Sequence, residues 1–91
     1  MLIALIARDK PGALEIRKEN RDAHLAYLEA SADIVFMAGP LLSDVGDMVG
    51  SLIILDMPDM KAAEHWAEND PYAKAGLFAS VELIEWKKVV G

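Results

Sequence analysis

Short unbroken apolar runs and stretches in which apolar and polar positions follow a helical period mark the elements of this chain. Leu2–Ala7 is a short, unbroken apolar run, which reads as a buried strand. The polar stretch Arg8-Asp9-Lys10-Pro11-Gly12 carries a Pro-Gly breaker and reads as a loop. Ala13–Ala30 follows a helical period. On that helix Glu15, Lys18, Glu19, Asp22 and Glu29 share one water-facing arc. Leu14, Ile16, Leu25, Tyr27 and Leu28 fall outside it, toward a core, and so do Arg17, Arg21 and His24. Asp33–Leu42, with Ile34, Val35, Phe36 and Met37, suits a strand that Gly39-Pro40 interrupts near its end. Ser43–Asp47 is a hairpin-like connection into a third strand, Met48–Met57. Pro58-Asp59 stops that strand, and Asp59 is placed to cap a helix over Met60–Glu68. Its inner stripe is Ala62, Ala63, Trp66 and Ala67, while Lys61, Glu64, His65 and Glu68 face water. Asp70-Pro71 opens a short turn or helical piece through Ala75, Gly76 ends it, and Leu77–Trp86 is the fourth strand before a short tail.

The order β-α-β-β-α-β predicts an α+β, ferredoxin-like fold, with two helices on one face of a four-stranded antiparallel sheet. The strand sequences are apolar on both parities, as in Leu2, Ile3, Leu5 and Ile6 or Leu52, Ile53, Ile54 and Leu55. In an antiparallel sheet that pattern means both faces are covered. Helices cover one face, and a second copy of the chain is the natural cover for the other. The expectation is a homodimer packed sheet to sheet.

Composition agrees with this picture. Ninety-one residues make one domain, 1–91, and 54% of them are hydrophobic, more than so small a core absorbs alone. No apolar run approaches the ~20 residues of a membrane-spanning helix. The start MLIALIARDKP lacks the basic leader and small-residue cleavage site of a signal peptide. With no cysteine, disulfides and thiolate chemistry are excluded, and the cytoplasm is the expected location. A net charge of −6 argues against nucleic acid or an anionic membrane as the main partner.

Candidate chemistry begins with the inward-facing polar side chains, which are unfavourable to bury unless paired. His24 is either a general acid/base or a buried histidine hydrogen-bonded for structural reasons; a free imidazole titrates near neutrality, which suits proton transfer. Asp70 is a standard helix start before Pro71, and it is also a carboxylate able to orient an imidazole. A cap uses one oxygen and leaves the other, so the two roles can coexist. Arg17 and Arg21 sit one turn apart on the side of His24, where they either bind a substrate anion or pair with acids at the helix edge. Arg8 joins that anion site or is an ordinary loop charge. Gly39-Pro40 and Gly50-Ser51 permit close approach of a ligand or mark a bulge, and Ser51 serves at most as a hydrogen-bond donor. Tyr72 and Trp86 read as core or interface aromatics, and His65 as solvated. No metal-ligand cluster, P-loop or GxGxxG is present, so no metal or cofactor is predicted.

RDAHLAYL (Arg21–Leu28), AGPLL (Ala38–Leu42), Gly50-Ser51, AEHWAENDPYAKAGLF (Ala63–Phe78) and the closing EWKKVVG together resemble the YciI-like, or YCII-related, family over nearly the whole chain. The resemblance implies a dimeric α/β barrel related in fold to muconolactone isomerases and small cofactor-free monooxygenases. It also implies an active site on a His/Asp pair. That pair maps to His24 and Asp70, with Arg21 in the helix motif and Gly39, Pro40 and Ser51 lining a pocket. Some relatives are linked to elimination or isomerisation of ring-derived compounds. The function expected is cofactor-independent acid–base chemistry on a small anionic or phenolic substrate. The alternative is a non-catalytic binding or accessory dimer with the same pocket, and the blandest is a polar cluster that only holds the dimer together.

Overall fold

The computed structural model covers residues 1–91. Its elements are β1 (Leu2–Asp9), α1 (Leu14–Ala30), β2 (Val35–Leu42), β3 (Met48–Asp56), α2 (Met60–Glu68), α3 (Pro71–Lys74) and β4 (Phe78–Glu85). The sheet runs β2-β3-β1-β4, and every neighbouring pair is antiparallel. β1 and β2 are therefore parallel with β3 between them, and α1 carries the chain across. This is the ferredoxin-like α+β arrangement that the hydrophobic pattern predicts. No helix is long and apolar enough to cross a membrane.

The core lies between the sheet and the helices. Ile3, Leu5 and Ala7 alternate inward along β1, opposite Leu55, Ile53 and Ser51 of β3. Met57, Ala63 and Trp66 complete the cluster, and Tyr27 and Leu28 of α1 pack against it. Each large apolar side chain fully removed from water here contributes about 1.5–3 kcal/mol. The α1 C-terminus is tied to α2 by two polar contacts. Tyr27 Oη donates to the Trp66 carbonyl at 2.8 Å, and Trp66 Nε1 donates to Ser31 Oγ at 3.0 Å. Asp59 caps α2 through a 2.8 Å bond from the Ala62 amide. A second, smaller cluster of Ala13, Tyr72 and Leu77 closes the opposite end.

Three expectations change. The only fully buried residues of α1 are Arg17 and His24, and Leu25 is 42% exposed rather than in the core. Leu25 and Leu28 instead border a cavity between α1 and β2, so the inward stripe is narrower than its apolar content suggests. Strand β1 runs two residues further than its apolar stretch, through Arg8 and Asp9. Successive strand residues face opposite ways, so Asp9 points under α1 while the exposed Arg8 lies on the open face of the sheet. Arg8 consequently does not join an anion site with Arg17 and Arg21. The open face carries Met37, Leu52 and Ile84, each at least 39% exposed.

The two strand glycines differ. A Cβ on Gly50 would lie 2.4 Å from the Ala7 carbonyl oxygen, whereas one on Gly39 would meet nothing within 4 Å. Gly50 is thus required by its neighbouring strand, next to the register shift at Leu41/Leu42, and not by a ligand. Gly50→Ala is expected to lower stability by about 1–3 kcal/mol through overpacking. Gly39→Ala should stay within about 0.5 kcal/mol of wild type. Urea midpoints measured for the two variants side by side check this, and equal shifts would contradict it.

Candidate functional site

The site is assembled where the α1 helix crosses the short α3 turn. Asp70 sits just before α3 in extended backbone, and its Oδ1 accepts the Tyr72 amide at 2.9 Å as the helix cap. The same oxygen accepts His24 Nδ1–H at 2.8 Å. A single oxygen therefore performs both tasks, where the cap was expected to leave the imidazole to the other one. The pair is almost fully enclosed, with the His24 side chain 7% and the Asp70 side chain 2% exposed. An ionised carboxylate only accepts, so the neutral ring is assigned the Nδ1–H tautomer, and its Nε2 carries the lone pair. Nε2 has no protein partner, and no sealed side-chain nitrogen or oxygen in the chain lacks one. Nε2 therefore opens onto the cavity that His24 lines.

Tyr72 stands between the two polar groups of α1. Its ring stacks on His24 at 3.9 Å between centroids and 13° between planes. The Arg17 guanidinium lies over the same ring, 4.6 Å from its centroid. Two groups so close to one centroid cannot share a face, so Tyr72 is sandwiched, two helical turns apart being enough to admit a ring. Arg17 in turn is clamped from β1: Nε donates to Asp9 Oδ2 at 2.7 Å and Nη2 to Asp9 Oδ1 at 2.9 Å. Nη2 also donates to Ser51 Oγ on β3 at 3.0 Å. Burial works against the Arg17 charge, but the Asp9 carboxylate outweighs it, and the arginine pKa is raised. Burial also pushes the Tyr72 phenol up, against the opposing pull of Arg17 and Arg21.

The cavity these groups enclose measures about 140 Å³. Its polar lining is Arg17, Arg21, His24, Ser51 and the Tyr72 phenol, and its wall on β2 is Ala38, Gly39 and Pro40. An engineered apolar cavity of about 150 Å³ accepts a benzene ring, so one ring is the matching scale. A larger hollow of about 270 Å³ lies at the β1–α1 loop and the β2–β3 hairpin, but it gathers no imidazole and no free guanidinium. No three His, Cys, Asp or Glu side chains converge as a metal site would need.

Of the residues singled out from sequence, His24, Asp70, Arg17, Arg21, Gly39, Pro40 and Ser51 converge on this one place. Arg21 lies at the exposed mouth and forms no ion pair, while Arg17 is buried with its fork taken by Asp9. Arg8 stays outside. Two contributors were missed. Asp9 sits in a polar run that reads as loop, and the buried arginine on α1 was the one signal that an acid had to meet it. Tyr72 is the buried aromatic it was taken for, 1% exposed, but it also forms the plate on which His24 rests.

Burial, with the Asp70 carboxylate second, raises the Tyr27 phenol as well. Both Tyr27 and Tyr72 are thus more acidic in the unfolded chain, where the ordinary value is 10.0. Their stabilising contribution is complete below that value and is lost as pH rises through their folded values. Urea midpoints are expected to fall from about pH 8 to about pH 11, less steeply in Tyr27→Phe and Tyr72→Phe. Identical slopes in wild type and both variants would contradict this.

The chain has counterparts among known proteins. The family model of the YCII-related domain matches residues 1–87. Protein YciI of Escherichia coli O6:H1 (strain CFT073) is 37% identical over 97 residues, spanning 98% of this chain and 99% of that protein. The solved structure of 5-chloro-2-hydroxyhydroquinone dehydrochlorinase from Burkholderia phenoliruptrix AC1100, in complex with 2,5-dihydroxybenzoquinone, matches with a TM-score of 0.88 at 39% identity. That match covers 96% of this chain and 94% of the dehydrochlorinase. Rv0793 from Mycobacterium tuberculosis, at 15% identity, a TM-score of 0.58 and full coverage of both chains, shares the fold alone. With nearly its whole length matched, this chain belongs to the YCII-related family.

Proposed function

We propose that this protein is a cofactor-independent enzyme that moves a proton on a small, hydroxylated ring substrate, with elimination or isomerisation as the outcome. The observation that carries this reading is the enclosed His24–Asp70 contact of 2.8 Å beside a ring-sized cavity. Asp70 holds the imidazole by Nδ1, leaving Nε2 as the base, and stabilises the imidazolium that forms. Nε2 takes a proton from a substrate O–H or C–H. The electron pair left behind either expels a leaving group as its anion or shifts a double bond. In an isomerisation the imidazolium returns the proton elsewhere on the ring. In an elimination it passes the proton to solvent. Arg21, unpaired at the mouth, holds the substrate anion. Ala38 and Pro40 of β2, paired with Ile53 and Ser51 of β3, wall the cavity on the side away from α1. Support from a relative is specific: a protein 39% identical is a dehydrochlorinase solved with a dihydroxybenzoquinone.

The test is turnover of 5-chloro-2-hydroxyhydroquinone and of related hydroquinones by purified protein. His24→Gln is expected to lower kcat about 100-fold or more with the fold intact. Asp70→Asn is expected to lower kcat while keeping its cap. Arg21→Ala should act chiefly on KM, raising it about tenfold. Tight binding of 2,5-dihydroxybenzoquinone with no turnover of any ring compound would instead make the protein a binding dimer.

The protein works as a homodimer in this reading, with Met37, Leu52 and Ile84 on the open sheet face meeting their copies. Light scattering at micromolar protein is expected to give twice the 9.9 kDa chain mass. A monomeric mass would remove the dimer and leave the site chemistry standing.

A further inference from the structure

We propose that Ser51 is an oxyanion donor in this cavity, and that the buried Asp9–Arg17 pair acts through it by aiming its proton at the ligand. The inference deepens the acid–base reading above and rests on it for the other end of the substrate.

The argument is a count of donors and acceptors. A guanidinium has five N–H groups and no acceptor. Arg17 uses Nε and one Nη2 hydrogen on Asp9, and the other Nη2 hydrogen on Ser51 Oγ. The serine hydrogen thus has nothing to bond on the arginine side. Ser51 makes no second side-chain bond inside the protein, although it is only 3% exposed. It lines the cavity, so its hydrogen is directed there. A cation 3.0 Å behind the hydroxyl oxygen draws electron density from the O–H bond and makes it a stronger donor. Arg17 has Nε and Nη2 taken by Asp9 and Ser51 and its plane covered by the Tyr72 ring, so of its five hydrogens only the two on Nη1 are left without a side-chain partner. It is a positioning residue, and Ser51 is the group that touches substrate.

This fixes a polarity for the substrate. The atom beside Ser51 must accept a hydrogen bond, so it is a ketone, enolate or phenolate oxygen conjugated to the bond that His24 breaks. When the C–H or O–H proton moves to Nε2, the electron pair left behind spreads onto that oxygen. Ser51 is in place before the charge arrives, which is the condition for stabilising it without reorganisation. A ring that offers only N–H donors at this position is rejected, because it leaves two hydrogens facing each other.

The experiment uses 4-nitrophenol, whose ionised form absorbs in the visible and so reports both occupancy and protonation. Wild type is expected to hold the probe ionised at a pH where most of the free probe is protonated. Ser51→Ala should weaken binding about tenfold and shift the bound probe toward its protonated spectrum. Ser51→Thr should restore both. Removing Arg17 alone strands a buried carboxylate and endangers folding, so the pair is removed together as Asp9→Leu with Arg17→Met. That double variant should match Ser51→Ala, and adding Ser51→Ala to it should cause no further loss. Unchanged binding and spectrum in Ser51→Ala would overturn the proposal. So would a further loss when Ser51→Ala is added to the double variant, which would show the two acting separately and put Arg17 on the ligand itself. A wild type that holds no ionised probe overturns it too, while the His24→Gln turnover assay judges the acid–base reading on its own.

Discussion

One carboxylate oxygen joins the fold to its chemistry. Asp70 Oδ1 receives the amide that starts α3 and the imidazole that lines the cavity. The helix cap fixes where the carboxylate stands, and the carboxylate fixes which nitrogen of His24 is free. Tyr72, whose amide makes the cap, also lays its ring against the imidazole at 3.9 Å. The ring's other face meets Arg17, and Arg17 leads to Asp9 and Ser51. These contacts form one chain of partners running from α3 through α1 to the central strands. Within it each buried charge is answered locally, Arg17 by Asp9 and the Asp70 carboxylate by His24 and the Tyr72 amide, so no sealed side-chain polar atom is an orphan.

Most of the architecture was legible because short unbroken apolar runs mark the strands and a period of about 3.6 residues marks the helices. Asp59 and Asp70 announced helix starts by chemistry that is local in sequence, and both do cap. His24 stood out because an imidazole opposite an acidic arc has to be sheltered. What local pattern could not reach was pairing across the fold. Arg8 and Asp9 are adjacent charges of opposite sign, and the strand pleat sends one under α1 and the other to the open face. Without knowing that β1 continues through them, nothing distinguishes which is inward. Arg17 and Arg21 looked alike for the same reason. One meets a carboxylate from β1 and is buried, and the other clears the edge of the sheet at the cavity mouth. Leu25 was misplaced because helical phase alone does not reveal that the space beneath a helix is partly empty.

The inward face of α1 also shows how a small core can hold a polar cavity. Apolar packing is concentrated between β1, β3 and α2, where Ile3, Leu5, Leu55 and Trp66 exclude water. The polar groups occupy the other half of the interface, over Ser51 and the β2 edge. Apolar packing and the polar cavity therefore occupy different halves of one sheet face. Substitutions that tighten the first half need not disturb the second.

α3 is a helix of four residues, closed by the cap at Asp70 and by Gly76 in the left-handed region. A single turn has little cooperativity of its own, so its place depends on that cap and on the burial of Asp70 and Tyr72. Whatever displaces this one short turn therefore takes the carboxylate and the ring plate from His24 together.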